Sequence, residues 1–157
     1  MKSSISVALH IDDELGASPG EAEIENWVSA AVRSGSDDLT TQEVCIRLIN
    51  EEESQRLNLE YRGTNRPTNV LSFPLQAPLE DGGVLLGDVV ICAPVVRTEA
   101  AAQQKSEKAH WAHMVVHGVL HLQGYDHIDE RGTEEMEALE KQILAKLGFP
   151  DPYEKCI

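Results

Sequence analysis

The sequence predicts an α+β protein, a small mixed β-sheet packed with about five helices. Two observations carry that prediction. Short strand patterns recur at residues 5–11, 43–50, 69–73 and 85–92, and the helical patterns between them do not alternate regularly enough for a doubly wound parallel sheet. The longest apolar helical pattern lies in the C-terminal half and carries four histidines, which places a candidate metal site at the end of that helix. At 157 residues the chain suits one domain, 1–157, because a chain of this size buries roughly 70% of the surface it exposes when unfolded.

ISVALHI (5–11) alternates Ile5, Val7, Leu9 and Ile11 and reads as a half-buried strand. After the turn signal GASPG, Ile24, Trp27, Val28, Ala31 and Val32 fall at helical spacing, and that helix is expected to stop before Gly35. EVCIRLIN is a second strand. Asn50 with Glu53 three residues later reads as a helix cap, and the helix it opens should end at Gly63. NVLSF, closed by Pro74, predicts a short edge strand with proline confined to its ends. LLGDVVICAP supplies another strand, and Pro94 suits the first turn of a helix over about 95–105. A further helix over about 106–122 carries His110, His113, His117 and His121 and gives way at Gly124. The last helix is expected from Thr133 to Leu147, with Met136, Leu139, Ile143 and Leu144 on its core stripe.

Net charge is −14, which opposes generic nucleic-acid binding, since phosphate attraction scales with the Lys and Arg present. The acids crowd other segments, however, and Gln55 to Leu79 holds Arg56, Arg62 and Arg66 against Glu60 alone, so a local basic site survives the objection. Cys45, Cys92 and Cys156 form no CxxC pair, which fits a reducing cytosol better than a disulfide framework. Neither a membrane span nor a signal peptide is predicted.

The stretch HGVLHLQGYDH, 117–127, concentrates the chemistry. His117 and His121 lie about 400° apart around a helix and project from one face one turn apart, while Gly124 lets the chain turn His127 back toward them. The set offers three nitrogen ligands to one ion, and zinc with three protein ligands keeps a fourth position open. His113 extends the row, but three histidines so spaced span ~12 Å of helix, too far for one ion, so His113 and His110 are expected in supporting or surface roles. Where zinc proteases have the proton-accepting glutamate, this chain has Gly118. Peptide hydrolysis is therefore disfavoured, and phosphodiester chemistry, which asks mainly for charge neutralisation, fits better. Asp126 reads as a turn cap or a support for a ligand, and Asp88 as part of a turn into a strand or, secondarily, as a residue facing the cleft; either acid could substitute for the missing glutamate.

With YRGTNRPTNVLSFP (61–74) and GDVVIC (87–92), the histidine stretch resembles the YbeY family of bacterial endoribonucleases, in three motifs in the right order over residues 43–148. The resemblance implies a zincin-like fold, one zinc ion per chain on His117, His121 and His127, and Arg62 near that ion. It also implies single-strand-specific cleavage of rRNA, including maturation of the small-subunit rRNA 3′ end, and ribosome quality control in the cytoplasm. The implied partners are that RNA, the small ribosomal subunit with its proteins, and an assembly GTPase; none is a membrane. Thr64 stands where a lysine is common in the family. By spacing alone Arg62 is a solvated helix-end cation, and Asn69 and Ser72 are polar residues of an edge strand as readily as site residues. Two alternatives remain beside the nuclease: a non-catalytic small-subunit assembly factor stapled by zinc, and a metalloprotease.

Overall fold

The structure is a computed structural model and describes residues 5–12, 15–32, 41–80, 82–125 and 129–153. In chain order the elements are β1 (Ile5–Ile11), α1 (Glu21–Ala31), β2 (Gln42–Ile49), α2 (Glu51–Arg62), β3 (Val70–Pro78), β4 (Val84–Cys92), α3 (Ala93–Ala102), α4 (Glu107–Leu122) and α5 (Glu130–Lys146). The α+β expectation holds, as does the mixed sheet. Its strand order is β1-β2-β4-β3, with β1, β2 and β4 parallel and β3 antiparallel to β4 at one edge.

Side-chain alternation divides the apolar residues between the two faces of the sheet. Val44, Ile46, Leu48, Val89 and Ile91 share the main core with Trp27 and Val28 of α1, Trp111 and Val115 of α4, and Met136 and Leu144 of α5. The opposite face holds a smaller cluster of Ile49, Leu71, Val90 and Cys92, covered by Leu57 of α2. Strand β4, central and buried on both faces, accordingly reads as the unbroken apolar run VVIC. Helix α4 lies deepest, with both faces enclosed along most of its length, so its histidines are embedded in an otherwise apolar helix.

Three boundaries differ from expectation for local reasons. β3 does not stop at Pro74 but runs on to Pro78, because the edge position and a register shift between Pro74 and Ala77 relieve proline of ladder duty. α3 ends at Ala102, just before Gln104 takes a left-handed conformation (φ 55°). α5 starts at Glu130 rather than Thr133, because the Asp129 carboxylate accepts from the Gly132 N–H at 2.6 Å and caps the helix there. No helix among the described residues is long and apolar enough to cross a membrane.

Candidate metal centre and cleavage site

Helix α2 delivers the first component. Asn50 caps it, its side chain accepting from the Glu53 N–H at 2.9 Å, and Gly63 closes it in the left-handed region at φ 71°. Arg62 is thus the last helical residue. The loop that follows is stitched back to α2 by two buried polar side chains. Ser54 Oγ donates to the Thr68 carbonyl at 2.9 Å and accepts from the Thr68 N–H at 3.0 Å, while Asn58 donates to the Arg66 carbonyl at 2.8 Å. Sequence reasoning passed over both; the available signal was a pair of polar residues four apart on the inward face of a charged helix. Among the described residues the Arg62 guanidinium makes no hydrogen bond or ion pair.

Helix α4 delivers the histidines. It packs so closely on the sheet at Gly118 that a Cβ there would lie 2.5 Å from Val89 Cγ1 and 3.3 Å from Ser72 Oγ. The glycine that replaces the protease glutamate is therefore a packing requirement, since no side chain fits between α4 and β4. Ser72 Oγ donates to the Gly118 carbonyl at 3.1 Å, tying the edge strand to the helix at the same point. His117 and His121 sit on either side in sequence, one turn apart, with ring centroids 4.8 Å apart. After the helix, Gly124 takes the expected left-handed conformation (φ 97°). His127, the third predicted ligand, and Asp126 lie outside the described residues.

One cavity of about 570 Å³ gathers the rest: Arg62, Tyr61, Asn69, Ser72, His117 and His121 all line it. Asp88, within β4, instead lines a second cavity, of about 440 Å³, with Cys45 and Phe73, which His117 and His121 do not line.

Behind the cavity lies a buried carboxylate that sequence analysis missed. Glu140 of α5, with 0% exposure, receives His113 Nε2 at 2.8 Å and His117 Nδ1 at 3.2 Å on Oε2, and the Tyr153 hydroxyl donates to its Oε1 at 2.7 Å. Burial alone would raise its pKa, but the hydrogen bonds from His113 and His117 together with their charge interactions outweigh it and hold the group down at about 2. Burial also pushes His113 below the ordinary histidine value, against the opposing pull of Glu140, and it raises the Tyr153 phenol. His113, His117 and Glu140 bring ligand-type atoms within 4.8 Å of one another, so this group can hold a metal ion. His113 and His110 are both buried, which excludes the surface role for either.

His110 Nε2 meets Glu99 Oε1 at 2.9 Å, and Glu99 Oε1 also accepts from the Asn69 carboxamide at 3.0 Å. Asn69 is thereby a fixed strut at the start of β3, with its own carbonyl accepting from the Cys92 N–H at 2.9 Å. The His110 hydrogen bond, against partial desolvation and with help from Asn69, lowers the Glu99 pKa below its ordinary 4.5. A depressed carboxylate stabilises the fold above the unfolded value, and the gain is lost as pH falls through the folded one. Urea unfolding should therefore show wild type more stable than Glu99→Gln at pH 6, with the gap closing below pH 4.5. A gap that is constant down to pH 3 would rule this out.

Two imidazoles one turn apart on one cavity, one of them engaged by a carboxylate through Nδ1, form a donor set that fits a divalent metal. Arg62 on the same cavity supplies a cation matched to phosphate geometry. Among solved structures, the chain is similar to the solution structure of TM1509 from Thermotoga maritima, with 24% identity, a TM-score of 0.50, and 96% of this chain and 99% of that one covered. That likeness concerns the fold. The family model described as Endoribonuclease YbeY matches residues 11–148, nearly the whole chain and every element that builds the cavity, and the chain belongs to the YbeY endoribonuclease family.

Proposed function

We propose that the protein is a zinc-dependent endoribonuclease that cuts single-stranded rRNA, including the 3′ end of the small-subunit RNA, and serves ribosome quality control. The observation that carries this reading is the meeting of His117, His121 and Arg62 on one cavity. Family membership supports the coarser activity, an endoribonuclease in rRNA processing. His117 and His121, with His127 as the proposed third ligand, would hold one zinc ion per chain. When bound, zinc supplies Lewis-acid charge that activates water and polarises a phosphate oxygen.

The chain's own residues do the remaining work. Arg62 binds the scissile phosphate through paired N–H donors and neutralises charge that grows on its oxygens. Tyr61, 59% exposed, and Phe73 in edge-to-face contact with it at 5.0 Å put aromatic surface at the rim, where unpaired bases stack. Asn69 and Ser72, each hydrogen-bonded to a neighbouring helix, keep the wall of the cavity fixed. The metalloprotease alternative loses ground at Gly118, where the fold has no room for a glutamate.

Partners follow from this reading: single-stranded rRNA, the small subunit and its proteins, and an assembly GTPase, met in the cytoplasm. With a net charge of −14, delivery of the RNA by such partners relieves the chain of binding free RNA tightly. The test pairs zinc content with cleavage of single-stranded and duplex RNA, for the native chain and His121→Ala, with a chelator control. The native chain should carry about one zinc and cut only single strands, and His121→Ala should lose both properties. Zinc bound by a native chain that cuts nothing, even with ribosomes supplied, would hand the function to the non-catalytic assembly factor, whose acidic surface suits basic ribosomal proteins.

A further inference from the structure

We propose that Glu140 is a positioning residue for the metal centre, holding His117 as its Nδ1–H tautomer so that Nε2 is presented to the ion. The inference rests on the zinc reading of His117 and His121 given above.

A carboxylate has acceptors and no donor, so each nitrogen that meets Glu140 must carry its proton on that side. For His117 the facing nitrogen is Nδ1, at 3.2 Å, which makes Nε2 the lone-pair nitrogen that a metal requires. Free imidazole of histidine favours the opposite tautomer, so an unassisted His117 would have to spend part of its binding energy on exchanging protons. Glu140 is itself fixed. His113 Nε2 shares Oε2 at 2.8 Å, the Tyr153 hydroxyl holds Oε1 at 2.7 Å, and the side chain is fully enclosed between α4 and α5. A carboxylate behind a ligand imidazole fixes the ring's orientation and also makes it a stronger donor.

The same three groups can also be read as direct ligands, and the shorter of the two distances argues against it. Ligand atoms around a tetrahedral ion with ~2.1 Å bonds stand about 3.4 Å apart. The 2.8 Å contact between His113 and Glu140 is instead the length of a charge-assisted hydrogen bond. His121, by contrast, faces the cavity with His117.

The test uses the full chain stripped of metal. Long-range ¹H–¹⁵N spectra of the histidine rings report the tautomer, and competition against a chromogenic chelator reports zinc affinity. Wild-type His117 should be the Nδ1–H form. Glu140→Leu should revert it to Nε2–H and weaken zinc binding toward 100-fold. Glu140→Gln should rescue the tautomer, because its amide oxygen can accept from the imidazoles while its NH₂ donates to the Tyr153 oxygen. It lacks the charge, however, and should bind zinc about 10-fold more weakly than wild type. A purely structural role would leave the tautomer unmoved.

The proposal is overturned if wild-type His117 is Nε2–H, or if zinc affinity in the Glu140 variants stays within twofold of wild type while His121→Ala abolishes it. It is also overturned if His113→Phe abolishes binding and His121→Ala does not, which would make Glu140 a ligand. Should Glu140→Leu fail to fold, the wild-type spectrum and the Gln variant still decide. Failure of the zinc reading itself looks different: the wild-type chain binds no zinc, or His121→Ala and His113→Phe both bind it normally.

Discussion

Gly118→Glu, which rewrites HGVLH into the pattern of a zinc protease, is expected to cost more than about 3 kcal/mol of stability and to create no peptidase. The new Cβ would stand 2.5 Å from Val89 Cγ1, and Val89 is a fully buried, β-branched side chain with no alternative place to go. Beyond Cβ, the carboxylate would start from a tightly packed helix–sheet contact, an added desolvation cost. Gly118→Ala separates the two contributions. It gains about 1 kcal/mol of helix propensity over glycine and pays an overpacking cost of about 1–3 kcal/mol, so its net loss is up to about 2 kcal/mol, below that of Gly118→Glu. Thermal and urea unfolding of the two variants measure this, and a Gly118→Glu protein that melts with wild type would overturn the packing account.

Arg62→Ala should lower RNA cleavage by roughly 10²–10³-fold, the loss typical for removing one donor to a developing oxyanion. Zinc content should not change. The fold should lose at most about 1 kcal/mol, since the exposed side chain contributes little beyond its interaction with the C-terminal dipole of α2. Arg62→Lys should recover only part of the activity, because an ammonium restores the charge without the two-pronged fit to phosphate. Cleavage by Arg62→Ala within threefold of wild type, at equal zinc loading, would remove Arg62 from the chemistry and favour the assembly-factor reading.

Most of the framework was legible because it follows from local patterns. β1 forms over the predicted residues 5–11, with Ile5, Val7 and Leu9 packed on the core but Ile11 exposed at its end, and α2 carries both of its end signals, Asn50 and Gly63, in the sequence. The interior of the site was less legible. Glu140 shares a stripe with Met136, Ile143 and Leu144, and a lone acid there looks like the polar edge of an amphipathic helix. Only the approach of α5 to α4, contacts between residues 23 and more apart, turns it into a buried carboxylate between two histidines. His113 was expected in a supporting or surface role; the structure buries it beside His117 and Glu140, and that carboxylate partner could not be named from sequence for the same reason. Gly118 was noticed for the chemistry it lacks. That it is required by Val89 on another element depends on distance in space, which spacing in sequence does not report.

Strand β3 borders the cavity and is an edge, and sheet edges ordinarily invite an extended polypeptide to add itself as another strand. Here the edge is broken midway. Pro74 has no N–H to offer a visiting chain, and the register shift between Pro74 and Ala77, with Gln76 at φ 53°, disrupts the even spacing of backbone groups that such a chain would need. Peptides passing the mouth of the cavity therefore find no rail along which to align. A peptide held beside the histidines would have to be positioned by side-chain contacts alone, without the backbone pairing that a regular edge strand lends to an extended substrate.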